Sequence, residues 1–532
     1  MLRPQARQAE TLKFPWYLDD ERFDPKSLAT EMNSDTTAAL ESGAPRLDPQ
    51  VKRVAIVVIL GAIMSVLDTT IVNVALHDLS SDLNTSLSGI QWVVTGYLLS
   101  LAAVIPVTGW AVRRFSARRL YLIALVVFTA ASALCALATN STELIAFRVL
   151  QGVGGGMLTP IGQMILVKAA GPRNMAKVMS IVGVPIVLAP VFGPTLGGLL
   201  LQSAGWQWIF LINAPVGALT FFLALRLLPH DTAGSEEAGR LDFVGLVLAA
   251  AGVVGVTYGL SESETSGSLV SSSVIGPVLV GLALLAAFVL RSQRIERPLL
   301  DLSLFRNAAF RAASVVTFCL GAALFGAMIL IPLYFQTVLG DDALKTGLLL
   351  IPQGIGGGLG MVASGRLTTR LGAGRTSMLG GLIMAVATIP FVLVTATTPY
   401  GLIGAAMLVR GIGVGLAIMP AMTAAFSVLT KEQVNDATPQ LTVLQRVGGS
   451  LGTAIIAVIL QHNLAGAHTA AAAATGFGHT YWWVMGATLV ALIPTLVLAR
   501  IERRARVTAA AEAPATLPAD PGVVDEPVLE TV

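Results

Sequence analysis

The chain has 532 residues, of which 54% are hydrophobic and only 12% are charged. Because ordinary soluble domains contain about 25% charged residues, this composition predicts an all-α polytopic membrane protein. The net charge of +3 is too small to suggest a nucleic-acid partner. Cys135 and Cys319 lie far apart in separate apolar runs, which argues against a disulfide framework or a cysteine metal site.

Polar segments stand at both ends of the sequence. Residues 1–50 mix Pro, Asp, Glu, Arg and Ser and contain no apolar core of signal-peptide length. They are predicted to form a disordered cytoplasmic extension. Residues 504–532, which are rich in Ala, Pro and acidic residues, are predicted to form a disordered cytoplasmic tail for the same reason.

Fourteen apolar windows between these segments are long enough to cross a bilayer, since a helix needs about 20 apolar residues to span ~30 Å of hydrocarbon. The predicted spans are residues 54–75, 90–110, 120–139, 143–166, 178–202, 207–228, 242–260, 271–290, 312–338, 346–366, 376–397, 400–428, 438–461 and 480–500.

The positive charges of the connections test this count independently, because cytoplasmic loops carry an excess of Lys and Arg. Even-numbered connections hold nearly all of these residues, whereas odd-numbered connections hold only Lys345. One missed or invented span would break this alternation. The alternation predicts that both termini are cytoplasmic.

A carboxylate, Asp68, lies deep in the first span, where a lone charge costs at least ~2.5 kcal/mol and is usually functional. At 1.5 Å per residue it lies roughly 22 Å from the cytoplasmic edge, and Arg148 in the fourth span lies roughly 24 Å from the same edge. An ion pair is therefore possible if the two helices are neighbours. The pair is either a fixed structural contact or a place where Asp68 exchanges a proton.

Polar and aromatic residues near this pair are candidates for lining a substrate cavity. They are Thr69, Thr70, Asn73, Gln91, Trp92, Tyr97 and Gln151. The first three surround Asp68, and interhelical hydrogen bonding explains them equally well.

The second half of the sequence weakly repeats the first. RVLQGVGGGMLTP, beginning at Arg148, has a looser counterpart in VRGIGVGLAIMP around Arg410. Repeated halves around a midplane site are general in secondary transporters. Arg410 and Arg446 either face the cavity or stabilise helix ends near the cytoplasm. No phosphate-binding loop or metal-ligand spacing is found, so no cofactor or metal is expected.

Six motifs follow one another in a known order. They are LDTTIVNVAL at 67–76, QWVVTGYLLS at 91–100, FRVLQGVGGGMLTPIG at 147–162, GPTLGGLL at 193–200, WIFLINAPVG at 208–217 and QRVGGSLGTA at 445–454. Together they strongly resemble the fourteen-span drug:proton antiporters of the major facilitator superfamily, the group that includes the bacterial EmrB- and QacA-type exporters. The resemblance covers nearly the whole chain between the terminal segments.

This resemblance implies a major facilitator fold with 14 transmembrane helices. Two six-helix bundles would occupy residues 51–230 and 301–503, and residues 231–300 would hold two extra helices and linkers. It also implies roles for individual residues. Asp68 would carry the proton or cation, Arg148 would be its coupling partner, and Gly193, Pro194, Gly197 and Gly198 would form the antiporter motif of the fifth helix.

The loop after the second helix departs from the family pattern. GWAVRRFSARR, from Gly109, aligns with GxLaDRxGRR and supplies the gating-loop candidates Gly109, Arg113, Arg114, Arg118 and Arg119. Arg113 stands where the family has an acid that helps latch the bundles on the cytoplasmic side, and Ser116 stands where a glycine is expected. Gating is therefore predicted to differ or to use another carboxylate.

The function implied by the resemblance is proton-coupled export of drugs or other amphipathic, often cationic compounds across a bacterial cytoplasmic membrane. The functional unit would be a monomer in the lipid bilayer. Export of an endogenous metabolite, lipid or siderophore by the same mechanism is the alternative, and a non-transporting receptor or scaffold is a remote one. The spans contain no His/Glu metal cluster or nucleophile constellation, so an enzyme is not expected.

Overall fold

Helices account for almost all of the structure, a computed structural model that describes residues 48–229, 239–296, 298–430 and 432–512. This confirms the all-helical prediction. It also agrees with the requirement that backbone groups in hydrocarbon satisfy one another. The predicted N-terminal extension, residues 1–50, lies outside the described residues up to residue 47, as does the end of the predicted tail, residues 513–532.

The membrane helices are named α1 to α14 in chain order. They are α1 (Pro49–Asp82), α2 (Trp92–Phe115), α3 (Ala117–Ala136), α4 (Ser141–Gly171), α5 (172–204), α6 (Gln207–Leu227), α7 (Phe243–Ser266), α8 (Ser272–Ser292), α9 (Ala308–Thr337), α10 (Lys345–Leu371), α11 (Ala373–Val392), α12 (Tyr400–Ser427), α13 (Val434–Leu464) and α14 (Ala470–Glu512). Short 3₁₀ segments interrupt α1 at Val72–Ala75 and α2 at Ile105–Val107, and another, Leu302–Arg306, precedes α9.

Within the described chain, 13 helices are long and apolar enough to cross a membrane, one fewer than the predicted fourteen. The difference lies at α5, where most side chains between residues 172 and 191 are outside the described set. The backbone of α5 is helical through residue 204, so a helix occupies the fifth predicted span.

The connection between α4 and α5 is much shorter than the sequence predicts. Residues 167–177 separate the fourth and fifth predicted spans, yet the backbone is helical on both sides of a single break at Gly171. Gly171 has φ 64° and ψ 172°, in the left-handed region that a residue without Cβ enters most readily. One glycine therefore replaces a loop.

The last helix is longer than predicted. It continues to Glu512, whereas a disordered tail was expected from residue 504. The added residues, RARVTAAAE, are mostly strong helix formers, with Ala and Arg among them, so a helix already begun in the membrane continues past Arg503. The prediction of a disordered tail is wrong for residues 504–512.

The helices pack as two groups that meet along two seams. In the first group α1 lies against α4 and α5, and α4 also packs on α2 and α3. In the second group α10 and α11 pack on α12, while α9 packs on α13 and α14. One seam joins α5 to α10 and α12, and the other joins α2 to α13.

The two helices between the groups, α7 and α8, form a pair packed closely against each other. Helix α7 also contacts α2 of the first group and α13 of the second. Trp92 at the beginning of α2 stacks on Tyr258 of α7, with ring centroids 6.0 Å apart. The pair therefore lies along the seam between α2 and α13.

Candidate functional site

The structure brings Asp68 and Arg148 together in the interior of the first helix group. Arg148 Nη1 lies 2.5 Å from Asp68 Oδ2, and both residues are fully buried. Helix α1 supplies the carboxylate and α4 the guanidinium, so the shared depth of the two residues corresponds to a direct contact. Removing one partner of such a pair typically costs 3–5 kcal/mol, because the other charge is left buried and alone.

Two amide side chains complete the surroundings of the carboxylate. Gln151 Nε2 donates to Asp68 Oδ1 at 2.9 Å, and Asn213 Nδ2 of α6 donates to the same oxygen at 3.0 Å. Gln151 Oε1 accepts from Arg148 Nη1 at 2.8 Å, and Asn213 also donates to Ser132 of α3. Helices α1, α3, α4 and α6 are thus joined by one buried polar network.

Aromatic rings and a backbone carbonyl hold the other side of Arg148. The guanidinium carbon lies 4.1 Å from the ring centre of Tyr97, within cation–π range, and 5.7 Å from that of Phe210. Its Nε donates to the carbonyl oxygen of Val93 at 3.1 Å. The Tyr97 hydroxyl in turn donates to the carbonyl of Ser65. Both Arg148 and Tyr97 are therefore fixed in position from several helices.

The other cavity candidates are not drawn into this network. Thr69 and Thr70 donate to carbonyls of their own helix, those of Val66 and Leu67. Asn73 and Gln91 are exposed, and Trp92 faces Tyr258 of α7 rather than Asp68. Of the seven candidates, only Tyr97 and Gln151 adjoin the ion pair.

The glycines of α5 allow it to approach α1 next to Asp68. A Cβ at Gly193 would collide with the side chain of Thr70, and one at Gly197 would lie 3.0 Å from the carbonyl oxygen of Ile71. A Cβ at Gly198 meets nothing within 4 Å. Gly193 and Gly197 therefore form the close contact, whereas Gly198 does not take part. The side chain of Pro194 lies outside the described set.

The gating-loop region contains an ion pair whose charges are reversed relative to the family pattern. Arg113 Nη1, near the end of α2, lies 2.6 Å from Asp436 Oδ1, near the beginning of α13. Gly109 also lies close to α13, since a Cβ there would be 2.6 Å from the carbonyl oxygen of Asn435. Another carboxylate, as the departure predicts, is thus present opposite Arg113.

The remaining loop residues stay near the first helix group. Arg114 and Arg119 are exposed, while Arg118 donates to the carbonyl of Leu225 in α6. Ser116 has φ 73° and ψ 147°, a conformation that favours the glycine expected there. Its hydroxyl accepts from the backbone N–H of Arg119 and so caps α3.

The two second-half arginines have different environments. Arg410 in α12 is 1% exposed, and its three guanidinium nitrogens have no hydrogen-bond partner among the described residues. Arg446 in α13 is half-buried and lies near Tyr97. Neither stabilises a helix end, because both lie well inside their helices. In the described part of the chain, no group of His, Cys, Asp and Glu is suited to a metal ion.

Sequence reasoning missed Asn213 and Ser132 as members of the network. Asn213 belongs to the motif WIFLINAPVG, and an amide inside an apolar span is itself a signal that a polar partner is near. Ser132 gives no comparable signal, because serine is common in packed membrane helices.

Comparisons with known proteins agree with this architecture. The family model of the Major Facilitator Superfamily matches residues 58–453. The chain is 39% identical over 421 residues to a "Multidrug resistance protein B homolog" of Mycobacterium tuberculosis (strain ATCC 25618 / H37Rv), covering 79% of this chain and 78% of that protein. It is 32% identical over 456 residues to a "Methylenomycin A resistance protein" of Streptomyces coelicolor, covering 85% of this chain and 93% of that protein.

A solved structure with a similar fold is that of the human organic anion transporter MFSD10. The TM-score is 0.59 at 14% sequence identity, and the match covers 83% of this chain and 100% of that one. At this identity the likeness concerns the fold alone.

Proposed function

The chain belongs to the major facilitator superfamily, and on that premise we propose that it is a proton-coupled antiporter. It exports drugs or other amphipathic compounds across a bacterial cytoplasmic membrane by alternating access. The names of the relatives support export of toxic compounds. The observation that carries the proton coupling is the fully buried Asp68, which receives hydrogen bonds from Arg148, Gln151 and Asn213.

The network connects the charge of Asp68 to the positions of the helices. With Asp68 charged, its donors hold α1, α4 and α6 together. A proton on Asp68 removes the charge that Arg148 balances and leaves a buried guanidinium without its counter-charge. Protonation therefore favours a state in which Arg148 finds other partners, and the two protonation states favour different conformations.

Helix α5 is placed to pass this change to the seam. Gly193 and Gly197 pack it on α1 only a few residues from Asp68, and the same helix meets α10 and α12 of the second group. A movement of α1 relative to α4 would therefore shift the seam at which the two groups separate.

The single proton that one coupling carboxylate carries supplies enough free energy for export of a neutral substrate. At a proton motive force of about 180 mV, one proton provides ~4 kcal/mol, which corresponds to roughly a thousandfold concentration ratio. We also propose that both termini are cytoplasmic, that the functional unit is a monomer, and that the protein catalyses no covalent reaction.

The test uses everted membrane vesicles that contain the protein and are energised to acidify the lumen. A pH-sensitive dye reports proton release when a lipophilic compound is added. We expect substrate-triggered alkalinisation with the unaltered protein and its loss in Asp68→Asn. The matched control is Asp78→Asn, which removes an acid near the outer end of the same helix and leaves the response intact.

Equal amounts of folded protein must be present, which size-exclusion profiles and thermal melting of the purified variants establish. An undiminished response in folded Asp68→Asn would refute the coupling role of Asp68. Absence of any response, with every compound tested, would count against the antiport itself.

A further inference from the structure

The charges inside the described membrane helices are not balanced. Apart from the charged segment Arg500–Arg504, where α14 continues past its predicted membrane span, the charged residues at least seven positions from both ends of a described membrane helix are Asp68, Arg148, Arg410 and Arg446. Asp68 neutralises Arg148 at 2.5 Å, which leaves two arginines of the second group without a carboxylate among the described helix interiors. The interior therefore carries a positive surplus on the side of α12 and α13.

Arg446 lies on the surface of α13 that faces the first helix group. Its neighbours in sequence point elsewhere: the Gln445 carbonyl packs against Gly321 of α9, and Val447 packs with residues of α7. Arg446 itself lies near Tyr97 of α2, the ring that also lies under Arg148, and α2 packs against α13. This places Arg446 across the seam from the Asp68 network.

The side chain of Arg446 is also partly accessible, although it lies far from both ends of α13. Arg446 is the thirteenth residue of α13, about 18 Å from the beginning of the helix at 1.5 Å per residue. It is nevertheless half-buried rather than fully buried, and among the described residues it has no hydrogen bond or ion pair. A guanidinium at this depth that no protein group accepts from is costly, so an acceptor from outside the chain would bind to it favourably.

Arg410 contributes a second unpaired positive charge to the interior of the second helix group. It is as deeply buried as Arg148, but no atom of the described residues accepts from any of its three guanidinium nitrogens. The buried hydroxyl of Tyr481, which lies near Arg410, likewise has no hydrogen-bond partner in the described part of the chain. In a medium of low dielectric constant this charge raises the positive potential over the neighbouring interior.

We propose that the transported molecule carries an anionic group, a carboxylate, sulfonate or phosphate on an apolar body, and that Arg446 binds this group. Arg410 adds to the potential that attracts the anion without having to touch it. This inference rests on the proposed antiport function and deepens it, because it replaces the expectation of often cationic substrates with a defined class.

The charge of the substrate also fits the single interior carboxylate. If a monoanion leaves as one proton enters, both movements carry positive charge inward, so the membrane potential drives the exchange through two elementary charges. A monocation exchanged for one proton would move no net charge and would need a second proton site to use the potential. Asp68 alone is sufficient for an anionic substrate.

A matched pair of fluorescent probes tests the site. 8-Anilinonaphthalene-1-sulfonate and N-phenyl-1-naphthylamine share one aromatic skeleton and differ chiefly by the sulfonate. The binding of each probe to the purified protein in phosphatidylcholine nanodiscs is measured by fluorescence. Nanodiscs of the same lipid without protein give the background. We expect the sulfonate to bind more tightly, and Arg446→Gln to weaken its binding about 30-fold while leaving the neutral probe nearly unchanged.

Two further variants keep the test specific. Arg446→Lys keeps the positive charge and is expected to retain most of the sulfonate affinity. Arg370→Gln removes an exposed arginine near the end of α10 and is expected to change neither probe. Equal affinity for the two probes, or sulfonate binding that survives in folded Arg446→Gln, would overturn the proposal.

Transport in sealed proteoliposomes separates this proposal from the antiport. If the neutral probe drives Asp68-dependent proton movement while the sulfonate neither binds nor moves, the antiport stands and the anion site is wrong. If the sulfonate binds through Arg446 but no compound moves protons, the site stands and the antiport fails. Loss of sulfonate binding in phosphatidylglycerol nanodiscs would assign the site to a lipid headgroup and overturn the substrate assignment.

Discussion

Arg113 and Asp436, 323 positions apart in the sequence, form an ion pair of 2.6 Å between α2 and α13. The pair lies at the end of the helices that the basic loops predict to be cytoplasmic. The two side chains are 25% and 15% exposed, so solvent screens their interaction only in part. The acid that the family pattern places in the α2 loop is here supplied by the opposite helix, with the polarity of the contact reversed.

Charge reversal tests whether this pair latches the seam. We expect Arg113→Asp to lower both thermal stability and antiport, because two carboxylates would then face each other. The double variant Arg113→Asp with Asp436→Arg restores the pair in the polarity of the family and should recover most of both properties. A double-mutant cycle on stability is expected to give a coupling of about 1 to 3 kcal/mol. Strictly additive effects would show that the contact does not hold the seam.

Substitution of Ser116 by glycine should stabilise the protein. Its φ of 73° is a strained conformation for a residue with a side chain, and glycine removes a penalty of about 1–2 kcal/mol. Glycine also loses the cap to the Arg119 N–H, but at an N-cap this costs only a few tenths of a kcal/mol. A rise in melting temperature is expected for Ser116→Gly.

The control for this prediction is Ser116→Ala, which retains the strain and loses the cap. It should lower stability by about 1 kcal/mol. If both variants melt at the same temperature, backbone strain at this position contributes nothing.

Two glycines of α5 should respond differently to the same change. Gly193→Ala places a methyl group against Thr70, and overpacking of this kind costs about 1–3 kcal/mol. Gly198→Ala meets open space and gains helix propensity, so it should leave stability and transport unchanged or slightly improved. Melting temperatures and vesicle antiport measure both effects, and equal losses in the two variants would contradict the packing found between α5 and α1.

Asn213 is expected to matter more than Ser132, although the two residues share a hydrogen bond. Asn213 donates directly to Asp68, whereas Ser132 reaches the carboxylate only through Asn213. Loss of a hydrogen bond to a charged group costs about 1.5–3 kcal/mol, so Asn213→Ala should slow antiport by roughly 10- to 100-fold. Ser132→Ala should have a clearly smaller effect in the same vesicles. A larger loss in Ser132→Ala would mean that α3, rather than α6, orients the carboxylate.

Depth along a helix was sufficient to predict that Asp68 and Arg148 can meet, because both residues are charged and rare in apolar spans. The same argument could not identify Gln151 and Asn213 as donors to Asp68, since an amide in an apolar span indicates that a polar partner is near but not which one. It also could not show which face of α2 carries Trp92. The stacking of this ring on Tyr258 depends on where the inserted helix α7 packs, and that is a property of the assembled fold.

Contacts across the seams were the least predictable. The sequence indicates that Arg113 is unusual and that gating differs or uses another carboxylate, but several acids lie at helix ends. Only the packing of α2 beside α13 selects Asp436. Similarly, the single break at Gly171 was hidden, because a basic connection between two apolar runs is equally compatible with a loop.

The α7–α8 pair has a consequence for how a molecule dissolved in the bilayer reaches the interior. Because α7 contacts both α2 and α13, it covers that seam, whereas among the described helices neither α7 nor α8 packs extensively against the seam of α5 with α10 and α12. We therefore expect lateral entry from the bilayer to occur at the seam of α5. The two seams between the helix groups are therefore unequal, because α7 covers one of them and not the other.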